Sequence, residues 1–174
     1  DMVSITVVPV PDDFESYQPE EIPVDFDETN LRGRITEGSG YNGTKGFEIW
    51  DNATGATAMV TISKNPSAAK LLKFKLKQNL STTGTAGAIT LQLRSSSGAI
   101  VYYIGIDPAG VVSNPSGTVL EGAKIENNKW YEVELVLIPG ETSYMKLKDL
   151  AAGTEAQTYM LTMTTPSATD IASM

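Results

Sequence analysis

The chain of 174 residues predicts an all-β domain, an antiparallel two-sheet sandwich, on three observations. Apolar residues recur with a period of two in one segment after another, as strands with a single buried face require. Turn residues return about every 10–15 residues, the spacing of a sandwich rather than of a βαβ fold. No segment carries the 3.6-residue period of an amphipathic helix.

The elements follow in order. Asp1–Pro11 alternates through Val3, Ile5 and Val7 and closes on Pro9 and Pro11; it reads as an N-terminal strand or a linker. Residues 12–174 form the sandwich module. Its first part, Asp12–Glu28, is acidic and holds Pro19 and Pro23, which predicts a long surface loop or edge segment. Arg32–Glu37 can be a strand, and Gly38–Gly43 is turn chemistry. Phe47–Asp51 and Thr57–Ser63 read as a hairpin turning at Asn52–Gly55. In Lys70–Gln78, Leu72, Phe74 and Leu76 alternate with Lys73, Lys75 and Lys77. Ile89, Leu91 and Leu93 mark the next strand, then a tight tip at Ser95–Gly98, then Ile100, Tyr102, Ile104 and Ile106. Tyr131, Val133, Leu135 and Leu137 alternate with Trp130, Glu132, Glu134 and Val136. Tyr144–Lys148 and Thr158–Met163 complete the set.

Composition narrows the chemistry. Cysteine and histidine are both absent. That removes disulfides, thiolate metal sites, a Cys nucleophile and any Ser-His-Asp triad. The net charge of −8 argues against nucleic acid or an anionic membrane as partner. No apolar run approaches the roughly 18 residues of a membrane span, so no membrane insertion is expected. No stretch reads as a secretory leader, so an extracellular address would rest on a leader outside these residues.

Two phrases carry a family likeness: Asp12-Asp13-Phe14-Glu15-Ser16-Tyr17 near the start, and Asn127–Leu137 late in the chain, with its Trp130-Tyr131 pair opening a long strand after a turn. With the intervening Phe47–Asp51 and Lys73–Gln78 strands, their order resembles laminin-G/concanavalin-like jelly-roll modules of secreted bacterial carbohydrate-active or cell-surface proteins. The likeness spans roughly residues 12–174. It implies a jelly roll, an extracellular or cell-surface location, and a non-catalytic polysaccharide-binding role within a multidomain protein. It also implies a structural Ca²⁺ held by an early Glu and a late Asp. Glu15 is then the early ligand, and Asp13 and Asp51 offer further hard oxygens. The chain departs from the pattern at its end, where Asp170–Met174 stands in place of a full Asp-containing closing strand. Val3–Val10 could take that strand's place, in its own chain or in a neighbouring copy. A self-assembling surface, fibre or virion subunit working by strand addition is therefore the alternative function, with homotypic strand-mediated contacts as its interactions.

The residues themselves suggest a ligand face. Outward positions of the alternating strands carry Lys73, Lys75, Lys77, Gln92, Arg94, Glu132 and Glu134, and Tyr103 can join them. If those strands are neighbours they make one polar sheet face, with Trp50 and Tyr41 as further stacking platforms. Lys and Arg there would suit an acidic glycan such as a pectin. The same residues read equally as a Lys–Glu charge ladder that keeps an exposed sheet soluble. Trp130 is expected at the sandwich edge and Tyr131 in the core. Glu132 and Glu134, roughly 7 Å apart by strand rise, match the spacing of paired glycosidase carboxylates. No E-x-D-x-x-E signature accompanies them, so enzyme activity is not expected.

Overall fold

A computed structural model describes residues 6–7, 14–21, 26–29, 33–49, 59–67, 70–79, 89–114, 118–165 and 168–173. The chain is an all-β, two-sheet sandwich. One sheet is centred on the long strand β11 (Trp130–Leu137). Strand β6 (Lys70–Lys77) lies antiparallel to it on one side, in register from Trp130 opposite Lys77 to Leu137 opposite Lys70. On the other side follow β12 (Ser143–Asp149) and β13 (Gln157–Leu161). The far edge is β1 (Thr6–Val7), which runs parallel to β6, the one parallel pairing among the described strands.

The second sheet runs in the order β10 (Val119–Lys124), β9 (Val111–Ser113), β8 (Ile100–Ile106), β7 (Ile89–Arg94), β14 (Ile171–Ser173), β5 (Met59–Ser67), β2 (Phe26–Thr29). A separate hairpin pairs β3 (Gly33–Thr36) with β4 (Gly46–Ile49).

The alternation read in the sequence decides which side of each strand is buried. From the five-stranded sheet, Tyr131, Val133, Leu135, Leu137, Met145 and Leu147 enter the core, with Leu72, Phe74 and Leu76 packed against it. From the seven-stranded sheet come Leu93, Tyr102, Ile104, Ile106, Val112 and Ile171. Each such side chain contributes roughly 1.5–3 kcal/mol of burial. Burial is therefore what holds the sheets face to face. Buried polar links also cross the sandwich: the Tyr102 hydroxyl of β8 meets the Ser143 hydroxyl of β12, and Gln78 Nε2, just after β6, donates to the Ile125 carbonyl, just after β10.

Short turns join neighbours within a sheet. The Ser95–Gly98 tip closes β7 onto β8, with the Gly98 N–H donating to the Ser95 carbonyl and Gly98 at φ +83°. Asp107 shapes the next turn, its carboxylate accepting from the Val111 N–H at 2.8 Å. Asp149 does the same after β12 for the N–H groups of Ala151 and Ala152. Such local side-chain acceptors are why Asp favours turns.

Two placements differ from expectation. Phe47 does not lead a hairpin with the Thr57–Ser63 segment. Strand β4 pairs with β3, while β5 pairs with β2 and β14 in the seven-stranded sheet. The physical reason is that Gly40–Gly46 already closes a tight connection between β3 and β4, with the Gly40 N–H bonded to the Thr44 carbonyl at 2.8 Å. Within the acidic stretch, Phe26–Thr29 forms the edge strand β2. At the other end of the chain, Ile171–Ser173 pairs with both β5 and β7, inside the sheet. Thr6–Val7 lies in the opposite sheet, so the described part of the N-terminal strand is not the neighbour of β5 or β7.

Candidate functional site: the outer face of the five-stranded sheet

Strand pairing turns the outward residues of β6, β11, β12 and β13 into ranks across the sheet. Lys77 stands abreast of Trp130. Lys75, Glu132 and Lys148 form the next rank. Then come Lys73, Glu134, Lys146 and Thr158, and finally Leu71, Val136, Tyr144 and Met160. Successive ranks are about 7 Å apart and adjacent strands about 4.8 Å. The face thus has two lysine rails, on β6 and β12, about 10 Å apart, flanking a glutamate rail on β11. Five lysines meet two glutamates, on a chain whose net charge is −8.

The glutamates neutralise one lysine on each side. Lys73 Nζ lies 3.1 Å from Glu132 Oε1, and Lys146 Nζ donates to Glu134 Oε1 at 2.8 Å. The hydrogen bond from Lys146 to Glu134, then the charge of that carboxylate, raises the Lys146 pKa above the ordinary lysine value. Lysines 75 and 77 instead face aromatic rings. Lys75 Nζ sits 4.1 Å from the centroid of Tyr41, and Lys77 Nζ 5.2 Å from that of Trp130. Tyr41 and Trp130 meet edge to face at 5.9 Å. At the opposite end of the face Lys146 Nζ lies 5.5 Å from the ring of Tyr144. Lys148 has no ion pair among the described residues.

The single polar face expected from the sequence divides between the two sheets. Lys73 and Lys75 join Glu132 and Glu134 here, because β6 and β11 are neighbours. Gln92, Arg94 and Tyr103 stand on β7 and β8 of the seven-stranded sheet, where Gln92 is the register partner of Tyr103. Arg94 is committed locally: its guanidinium donates to Gln92 Oε1 at 2.6 Å and to the Gly98 carbonyl at 3.0 Å, bracing the hairpin tip. Trp50, expected as a stacking platform, lies outside the described residues. Trp130 does stand at one end of its sheet's face and Tyr131 in the core.

Lys146, Lys148 and Tyr144 were not singled out by sequence reasoning. The signal was present, since both lysines are out of phase with Met145 and Leu147. The Pro139-Gly140 turn also makes β12 the natural partner of β11.

Of the expected calcium ligands, Glu15 is the one among the described residues. Glu15 Oε1 accepts the backbone N–H of Lys45 at 2.7 Å. The Lys45 ammonium in turn donates to the carbonyls of Glu15, at 3.1 Å, and Tyr17, at 2.8 Å. A lysine ammonium therefore already holds the hard oxygens of this turn. No group of three or more His, Cys, Asp or Glu side chains placed to hold a metal gathers among the described residues. Asp13 and Asp51 lie outside the described residues. The turn itself is fixed to the β3–β4 hairpin. Phe14 packs on Phe47 at 6.3 Å, Glu20 and Glu21 exchange backbone bonds with Ile35, and Arg34 pairs with Glu20 at 2.9 Å. The 3₁₀ turn of that hairpin, Tyr41–Gly43, supplies the ring that meets Trp130.

Glu132 and Glu134 do share one face, but each carboxylate is directed to a lysine of a different neighbouring strand. Their chemistry here is charge pairing. Among the described residues no helix is long and apolar enough to cross a membrane. No protein-family model, curated protein or solved structure matches the chain.

Proposed function

We propose that the chain is a non-catalytic polysaccharide-binding module of the jelly-roll type, acting outside the cell or at its surface, with the outer face of the five-stranded sheet as its binding surface. The observation that carries this reading is the composition of that face: polar ranks of Lys and Glu bounded at its ends by Trp130 with Tyr41 and by Tyr144. Such a surface offers hydroxyl-binding groups beside ring faces, as sugar recognition requires. It is also broad and shallow, suited to a polymer rather than to a small molecule in a cleft. The non-catalytic part rests on the pairing of Glu132 and Glu134 with lysines, which occupies the carboxylates a glycosidase would need. Affinity electrophoresis through gels cast with a panel of polysaccharides tests it. Retardation by at least one polymer is expected, without product release. Release of sugar, lost in Glu132→Gln, would show an enzyme instead.

A second reading, self-assembly by strand addition, is favoured by one observation. Strand β13 (Gln157–Leu161) ends the five-stranded sheet and pairs with β12 alone among the described strands. Its backbone groups can accept an extended segment of a second copy. Sedimentation across a wide concentration range tests this, and a monomer throughout would remove it.

A further inference from the structure

We infer that the lysine-rich face takes a carboxylated glycan, with Glu132 and Glu134 acting as internal competitors for its carboxylates. This rests on the binding reading above and names the ligand class. Charge distribution carries the argument. A chain of net −8 concentrates five lysines and only two glutamates on one sheet face. The remaining surface is correspondingly more acidic. A densely charged polyanion wrapping the molecule would be repelled by that surface, whereas a flexible glycan with one carboxylate per sugar can lie on one face alone.

The geometry adds direction. The rails space their lysine residues about 7 Å apart along each strand. The central glutamate rail disfavours carboxylates over β11, so the glycan's acidic groups fall to the two sides. Lys75, Lys77 and Lys148 carry no carboxylate partner in the described structure, and they meet the ligand first. Lys73 and Lys146 are held by Glu132 and Glu134 at 3.1 and 2.8 Å. A glycan carboxylate must compete with those partners. Neutralising the glutamates therefore releases two more cations. The ion-pair reading alone predicts only a small loss of stability from that change; the glutamate-competitor reading predicts tighter binding.

The experiment uses the whole chain and two probes, polygalacturonate and neutral dextran, in affinity gels at low salt. Retardation by polygalacturonate and not by dextran is expected. Combining Glu132→Gln with Glu134→Gln should strengthen binding to polygalacturonate severalfold, and Lys148→Gln should weaken it by up to roughly fivefold. Lys148 has no ion pair among the described residues, so its replacement should leave the urea midpoint unchanged and keeps the test decisive if the double variant is unstable. Equal retardation by dextran, or binding unchanged in both variants, would overturn the carboxylate assignment while leaving polysaccharide binding in place. Failure of every glycan in the panel to retard the protein would instead remove the binding reading itself.

Discussion

Replacing Ser143 with Ala probes a buried polar contact that crosses the sandwich. Ser143 Oγ is a hub. It meets the hydroxyl of Tyr102 from the opposite sheet and accepts the Ile138 N–H at 2.8 Å. Both Ser143 and Tyr102 are 1 % exposed, so water cannot substitute for a lost partner. Ser143→Ala removes the shared partner of the Tyr102 hydroxyl and the Ile138 N–H and should cost roughly 1–3 kcal/mol. Tyr102→Phe removes one hydroxyl and keeps the ring in the core, leaving Ser143 bonded to Ile138; its cost is about 0.5–1.5 kcal/mol. The two changes cannot add. Once Ser143 is gone the Tyr102 hydroxyl keeps only its Ile138 backbone contact, so Tyr102→Phe should cost less on that background than in the parent. Urea unfolding of the four proteins, with equal m-values, gives the cycle. Costs that sum within about 0.5 kcal/mol would mean that the hydroxyls do not interact and that the sheets are not docked as described.

Other expectations concern the fold and its charges. Gly110→Ala should destabilise by well over 2 kcal/mol, because a Cβ there meets the Ile125 carbonyl oxygen at 2.2 Å and φ is +84°. Gly98→Ala, at φ +83° with open space around it, should lose only about 1–2 kcal/mol; equal losses in thermal or urea denaturation would contradict the Gly110–Ile125 approach. Leu135→Ala, fully buried at the centre of the five-stranded sheet, should cost about 2–5 kcal/mol, and a cost below about 1 kcal/mol would place it outside the core. Alkaline pH should weaken the fold. Burial, opposed by weaker hydrogen-bond contributions, raises the Tyr102 pKa, and Glu134 raises that of Lys146. Both shifts favour the protonated form in the folded state. Their stabilisation is complete below the ordinary tyrosine and lysine values, about 10 and 10.4, and is lost as pH rises through the folded-state values. Urea midpoints should hold to about pH 9.5 and then fall, and Tyr102→Phe should remove the tyrosine share of that fall.

Much of the architecture was legible because a period of two states which side of a strand is buried. Leu72, Phe74 and Leu76, like Tyr131, Val133, Leu135 and Leu137, could be assigned to the core without knowing their neighbours. What alternation does not encode is which strand lies beside which. Lys73 and Gln92 look equivalent in sequence, each outward on an alternating strand. Only the non-local pairing of β6 with β11, and of the β7–β8 hairpin with β14, sends them to different sheets. The same limit explains the Phe47 hairpin, where proximity in sequence suggested a partner that β3 had already supplied. Short strands were hard to see for another reason. Val111–Ser113 and Ile171–Ser173 have three residues each, too few to show a period, and owe their conformation to longer neighbours. The contacts of the Glu15 turn are equally non-local: its carboxylate accepts the Lys45 N–H, and the Lys45 ammonium donates to the Glu15 and Tyr17 carbonyls, 30 and 28 residues away in sequence.

The salt dependence of binding to polygalacturonate tests the lysine-face account most directly. Exposed ammonium–carboxylate contacts are screened over about 10 Å at 0.1 M salt and about 3 Å at 1 M. Retardation in a polygalacturonate gel should therefore be clear at low salt and vanish towards 1 M, while dextran gels show none at either. Retardation that persists unchanged at 1 M, or that dextran reproduces, would contradict a binding face built on lysine charge.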